Sequence, residues 1–176
     1  MTGKTHMICG VSAYACTMIM VPVVWDAGLV DNVAALAASS IGSYLPDIDL
    51  ATSKAGKKAP WISKLTTHRG VTHTLLFPAL LFVAAYFTNT WSVLPTFLFG
   101  MIVGWIAHII ADLFNSKGVP LFWPLFREKV HIASFKTDNE THQVIFIALW
   151  EAVIICLLLI HFGVFSLTAI TSMSQM

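Results

Sequence analysis

The feature that most constrains this chain is its series of long apolar segments, separated by short turns or by longer polar connections. A helix needs about 20 apolar residues to cross a hydrocarbon layer about 30 Å thick. Five segments approach that length: 7–25, 28–46, 72–90, 93–112 and 143–168. The second is the least apolar, because Asp31 and Asn32 begin it and alanine and serine fill its middle. We therefore expect an all-α integral membrane bundle of about five transmembrane helices.

The composition agrees with a membrane protein. Of the 176 residues, 57% are apolar and only 11% are charged, whereas a soluble domain carries about 25% charged residues. We expect residues 1–176 to form a single membrane-embedded domain. The three cysteines lie inside apolar runs and form no C-x-x-C pair, which excludes a thiolate metal site and a disulfide framework. Pro22, Asp26 and Asp31 interrupt the first apolar stretch, so we do not expect a cleaved signal peptide.

The basic residues all fall on one side of a five-span arrangement. One precedes the first span, five lie between spans 2 and 3, and four lie between spans 4 and 5: Lys4; Lys54, Lys57, Lys58, Lys64 and Arg69; Lys117, Arg127, Lys129 and Lys136. The other turns and the C-terminal tail contain none. By the positive-inside rule we expect a multi-pass membrane protein with its N-terminus in the cytoplasm and its C-terminus on the opposite side.

The same arrangement brings side chains that can bind metals to one interface. They stand at the cytoplasmic ends of separate spans: His6, Asp47, Asp49, His68, His73, His108, Asp112, Glu140 and His142. In HIIAD, His108 and Asp112 share one helical face because they are four residues apart. Alone, that spacing more often marks a hydrogen-bonded pair.

Two further motifs contribute to this set. In HRGVTH, His68 and His73 would lie about 140° apart on a continuous helix, so convergence requires a turn, which Gly70 permits. We expect Thr72 to cap the following helix and Arg69 to bind an anionic group such as phosphate. The alternative is a pair of interfacial histidines beside a capped helix.

In LPDID, Asp47 and Asp49 would point to opposite sides of an extended chain. One could coordinate an ion while the other orients a histidine. The alternative is a solvated acidic turn.

Mixed nitrogen and oxygen ligands favour Zn, with Mn or Fe as alternatives, over a calcium cage. The surplus of candidates without cysteine favours a catalytic centre of about one to three divalent ions.

Five separated strings of the sequence then resemble a known family. The strings THMICG, LPDIDL, WISK, HRGVTH and GWIAHIIADLFNSKGVPLFWP are similar to the bacterial inner-membrane, metal-dependent hydrolase family described as LexA-regulated. The resemblance implies a membrane-bound hydrolase with distant kinship to zinc phospholipases C. His6 matches an N-terminal histidine of the family, Glu140 matches its glutamate loosely, and Leu50 replaces a histidine that many relatives carry.

These observations predict hydrolysis of a phosphoester, in a lipid or lipid-linked substrate, by metal-activated water. The predicted metal ligands are His6, Asp47, His68, His73, His108 and Asp112. We expect Asp49 to support them, Arg69 to stabilise phosphate charge and Glu140 to act as a ligand or general base. Membrane lipids are the expected partners, and no nucleic acid or particular oligomeric state is predicted. A divalent-metal transporter and a non-catalytic metal-binding membrane protein are the alternative functions.

Overall fold

The regular secondary structure of the described residues is helical. The computed structural model describes residues 1–53, 55–65, 69–87, 93–136 and 139–163. Its α-helices are α1 (Gly3–Met20), α2 (Pro22–Trp25), α3 (Leu29–Gly42), α4 (Pro60–Leu65), α5 (Leu76–Phe87), α6 (Val93–Leu113) and α7 (Glu140–His161). Short 3-10 turns cover Leu45–Asp49, Gly56–Lys58 and Val71–His73. Two isolated β-bridges join Asn115 to Phe135 and Val119 to Val130. The expected all-α class is confirmed for these ranges.

Local sequence signals set the ends of the two helices that border the candidate site. The side chain of Thr2 accepts a hydrogen bond from the Thr5 backbone nitrogen, which caps the start of α1. The side chain of Asn139 accepts one from the His142 backbone nitrogen, 3.1 Å away, and caps α7 in the same way. Helix α1 ends at Met20, with Val21 as its C-cap, and the following Pro22 cannot continue its hydrogen-bond ladder.

Helix α3 packs against α6 with very little space between the two backbones. Gly100 and Gly104 form a G-x-x-x-G pair on the face of α6 that meets Ala35 and Ser39 of α3. A Cβ at Gly104 would lie 2.0 Å from the Ser39 carbonyl oxygen, and one at Gly100 would lie 2.2 Å from that of Ala35. Only glycine therefore permits this approach, a type of contact common between membrane helices.

Helices α1 and α7 lie side by side and run in the same direction. Thr5 donates a hydrogen bond to Gln143 across 2.9 Å, and Trp150 donates one to Ser12 across 3.1 Å. Each helix advances seven residues between the two contacts, so the helix starts lie at the same end. Cys9 and Phe146 pack between them against Ala107 and Ala111 of α6.

Two helices in the described part of the chain are long and apolar enough to cross a membrane: Leu94–Leu113 and Glu140–His161. The sequence predicts about five such spans, so that count is supported only in part. The segments 28–46 and 72–90 contain α3 and α5, which have 14 and 12 residues and are shorter than predicted. The reason is local structure: the chain turns at Leu45–Asp49 after α3, and at Val71–His73 before α5.

Candidate metal centre

Five buried side chains from four separate segments meet at one end of the helices. His6 comes from the first turns of α1, Asp47 from the turn after α3, His73 from the turn before α5, and His108 and Asp112 from the last turns of α6. The three histidines are 0% exposed, and the two aspartates are 8% and 1% exposed. Buried ionisable groups are costly unless they are paired or bind a metal, so this cluster needs a specific explanation.

The ring nitrogens of His73 and His108 lie at the middle of the cluster. Their Nε2 atoms are 3.2 Å apart. The Nε2 of His73 lies 3.7 Å from an Asp47 oxygen and 3.6 Å from an Asp112 oxygen. The Nε2 of His108 lies 3.8 Å and 3.9 Å from oxygens of the same two aspartates.

Hydrogen bonds on the far side of each ring set its protonation. The Nδ1 of His108 lies 2.7 Å from the Ser43 carbonyl oxygen, which can only accept, so Nδ1 carries the hydrogen. The Thr72 hydroxyl donates to Asp49 across 2.5 Å and therefore accepts from the His73 Nδ1, 3.1 Å away. With a hydrogen on each Nδ1, the two Nε2 atoms face each other and two carboxylates. The space between them therefore suits either a proton shared by the two rings or a metal cation.

The spacing of these atoms suits a divalent metal ion. Zn–N and Zn–O bonds of about 2.0–2.2 Å in tetrahedral geometry place the ligand atoms about 3.4 Å apart. Two groups of ligand atoms, each within 4.8 Å of one another, overlap at His108: His6, Asp47 and His108, and His73, His108 and Asp112. The residues present therefore fit one ion or a pair of ions.

His6 is aimed into the same space without hydrogen bonds of its own. Its ring stacks on that of His108 with centroids 3.7 Å apart, and its Nε2 lies 3.5 Å from an Asp112 oxygen. Neither ring nitrogen has a hydrogen-bond partner among the described residues. A completely buried imidazole without such a partner is expected where the ring nitrogen binds a metal ion.

The loop that carries His73 differs from the predicted one. We expected Thr72 to cap α5; this was wrong, because α5 begins at Leu76, four residues after Thr72. The Thr72 hydroxyl instead donates a hydrogen bond to Asp49. Trp105 donates a hydrogen bond to the Thr72 carbonyl across 3.0 Å. These contacts fix the Val71–His73 turn against α6.

Asp47 and Asp49 also lie in a 3-10 turn instead of the predicted extended chain. Their carboxyl groups still separate, since Asp47 faces the Nε2 of His73 and Asp49 faces its Nδ1 at 3.4 Å. Burial raises the pKa of the Asp47 carboxyl, but the His73 imidazole beside it and the nearby His108 and His6 lower it more, to about 2. Asp47 is therefore an anionic group available to a cation at neutral pH.

Arg69 lies beside the cluster in a strained backbone conformation. Its φ of 58° is in the left-handed region, which is uncommon for residues other than glycine. The Asp49 carboxylate accepts from its backbone nitrogen across 3.1 Å, and its Nη2 lies 2.9 Å from Asp112. The Nε and Nη1 atoms have no hydrogen-bond partner within the described ranges, although the residue is 4% exposed. Two buried donors are thus available to an anionic ligand.

Glu140, which was also predicted to belong to the site, lies outside this cluster. Glu140 is exposed at the start of α7, where it lines a groove together with Asp47, and it belongs to neither ligand group. The prediction for His68 falls outside the described residues. The amino group of Met1 lies 2.9 Å from Asp112.

Sequence reasoning missed the Ser43 carbonyl and the Trp105 indole. Both act through main-chain contacts that no side-chain motif signals.

In its described residues the chain is thus a helical protein with long apolar helices and a buried cluster of His and Asp side chains whose spacing could hold a metal ion. The chain matches the profile of the YdjM inner membrane proteins over residues 1–173, and it therefore belongs to the YdjM inner membrane protein family.

Individual relatives agree with this membership. The chain is 36% identical to inner membrane protein YdjM of Escherichia coli K12 over 113 residues, 60% of this chain and 58% of the relative. The Shigella flexneri protein of the same name gives the same values. The uncharacterized protein YvsG of Bacillus subtilis is 33% identical over 128 residues, 70% of this chain and 74% of that protein. The chain thus spans little more than half of the YdjM relatives, and no solved structure matches it.

Proposed function

We propose that this protein is a bacterial inner membrane, metal-dependent hydrolase that cleaves a phosphoester of a lipid or lipid-linked substrate at the cytoplasmic interface. The buried cluster of His6, Asp47, His73, His108 and Asp112 carries the proposal. Zn is the favoured ion, with Mn or Fe as alternatives, because imidazole and carboxylate suit all three.

The proposed membrane arrangement has more crossings than the two that α6 and α7 provide. We propose about five crossings, in which the segments around α1, α3 and α5 span together with α6 and α7. This odd number places the start of α1, the end of α3 and the end of α6 on one side, where their cluster residues already meet. The basic residues of the connections fall on that side, which makes it cytoplasmic.

Each neighbouring residue has a role that its contacts support. A divalent ion, when bound, supplies Lewis acidity that lowers the pKa of water and neutralises phosphoryl charge. Arg69 directs its two unpartnered donors to the anionic ester, since a guanidinium suits phosphate oxygens. Asp49 orients His73 through Nδ1 and so fixes the direction of its Nε2. Glu140, on the same groove as Asp47, is the candidate general base.

The position of the cluster favours an enzyme over a transporter. Transporter sites usually lie near the middle of the bilayer on broken helices. Here the ligands occupy the first turns of α1 and the last turns of α6, and both helices continue without interruption through these residues.

The proposal is tested by turnover of phosphodiesters with purified, metal-loaded protein in lipid nanodiscs. Asp47→Asn keeps the shape of the side chain but removes its charge, and we expect it to abolish hydrolysis. Asp26→Asn, at an exposed carboxylate outside the cluster, is the matched control and should retain full activity. Metal-loaded wild type that hydrolyses neither soluble phosphodiesters nor phospholipids would refute the hydrolase assignment.

A further inference from the structure

A groove of about 750 Å³ lies between the starts of α1 and α7 and the turn that follows α3. Its volume is in the range of small-molecule binding sites. One of its lining residues is Asp47, whose carboxylate also faces the Nε2 atoms of His73 and His108. The groove therefore reaches the candidate metal centre from outside the bundle.

The lining changes from polar to apolar along both helices. Lys4 and Glu140 lie at the starts of α1 and α7. Ile8 follows Lys4 by one turn, while Val144 and Ile147 follow Glu140 by one and two turns. At 1.5 Å per residue, Ile147 lies about 10 Å farther along the helix than Glu140. Since α1 and α7 are parallel, their apolar residues extend away from the polar end together.

Hydrogen bonds hold the two walls at a fixed separation. Gln143 accepts from Thr2 across 2.6 Å and from Thr5 across 2.9 Å, which ties α7 to the start of α1. The Trp150 to Ser12 bond repeats the connection two turns farther along. The groove is thus part of the helix packing and does not depend on a loop.

The apolar part of the groove opens towards the outer surface of the helix bundle, where α7 is exposed. Val144 is 65% exposed, and only 6% of the most apolar stretch of α7 is buried within the protein. In a membrane such a helix faces hydrocarbon. An alkyl chain could therefore pass from the bilayer into the groove without crossing water.

We propose, resting on the proposed hydrolase function, that this groove binds a single-chain amphiphile whose phosphate ester lies at the metal centre that Asp47 borders and whose alkyl chain lies along Ile8, Val144 and Ile147. The polar end of the groove carries Lys4, whose positive charge suits the phosphate, beside the carboxylates of Asp47 and Glu140, which suit a metal ion and a general base. The substrate class is accordingly a phosphoester that carries one alkyl or acyl chain, and this chain binds in the groove.

The experiment compares Val144→Trp with Val153→Trp, two valines on the same helix with 65% and 59% exposure, of which only the first lines the groove. The substrates are methyl and dodecyl p-nitrophenyl phosphate, which share a leaving group. We expect Val144→Trp to lower kcat/KM for the dodecyl ester about tenfold or more and to leave that for the methyl ester unchanged. Val153→Trp should match wild type on both, and all three proteins should retain equal metal content.

Equal effects of Val144→Trp on both esters, or no effect on either, would overturn the groove assignment. If wild type hydrolyses neither ester, a direct binding measurement tests the groove assignment. Saturable binding of radiolabelled dodecyl phosphate above that of empty nanodiscs, reduced by Val144→Trp but not by Val153→Trp, would support the groove while the hydrolase proposal fails. Absence of such binding to wild type would then refute the groove as well.

Discussion

At the scale of single residues, His73 shows how the surroundings of a side chain define its chemistry. Its Nδ1 contacts Thr72 and Asp49. Its Nε2, on the other edge of the ring, faces Asp47, Asp112 and His108. The first set of contacts fixes the tautomer, and the second set provides ligand atoms around a shared space. The same division applies to His108, whose Nδ1 is held by the Ser43 carbonyl.

Asp49→Asn tests the positioning role of the contact with His73. The substitution removes a negative charge from the Nδ1 side without removing a cluster ligand, so we expect metal affinity to fall about ten- to hundredfold. Competition titration with a chromophoric chelator measures the change, with Asp26→Asn as control. An affinity equal to that of wild type would show that Asp49 does not position His73.

The membership of the cluster could be predicted from sequence better than its local geometry. The i, i+4 spacing of His108 and Asp112 is a local property that any helix preserves. The role of Thr72 could not be predicted, because its hydroxyl pairs with Asp49, 23 residues earlier in the chain. Such a contact depends on how two turns pack against each other, and hydropathy does not encode it.

At the scale of helices, the contact between α3 and α6 holds the site together. It brings the Ser43 carbonyl, just after α3, to the Nδ1 of His108 on α6. The G-x-x-x-G spacing is visible in the sequence, but its partner helix is not. The lengths of α3 and α5 were also mispredicted, since apolar residues continue beyond the points at which both helices end or begin.

Gly104→Val tests this packing. Its side chain would meet the Ser39 carbonyl, so the helices must separate, and we expect a loss of about 1–3 kcal/mol in stability. Thermal unfolding in detergent measures this loss. Ala84→Val, which adds bulk at an exposed position of α5, should leave the unfolding midpoint near that of wild type. A midpoint for Gly104→Val as high as that of Ala84→Val would contradict the close contact.

At the scale of the whole molecule, the fold collects ligand-type side chains that are more than 100 residues apart in the sequence. His6 and Asp112 belong to α1 and α6 and yet lie 3.5 Å apart. This convergence follows from the directions of α1 and α6 and from the turns that follow α3 and precede α5. It also places the cluster next to the groove between α1 and α7, where an amphiphile could reach it.

The central claim is that these side chains bind metal, and elemental analysis of the purified protein tests it most directly. After equilibration with Zn, Mn and Fe and removal of free metal, wild type should retain at least one ion per chain. His108→Ala, which removes the ligand shared by both groups, should retain none, while His131→Ala at an exposed histidine outside the cluster should match wild type. Metal-free wild type, or full metal content in His108→Ala, would contradict the account.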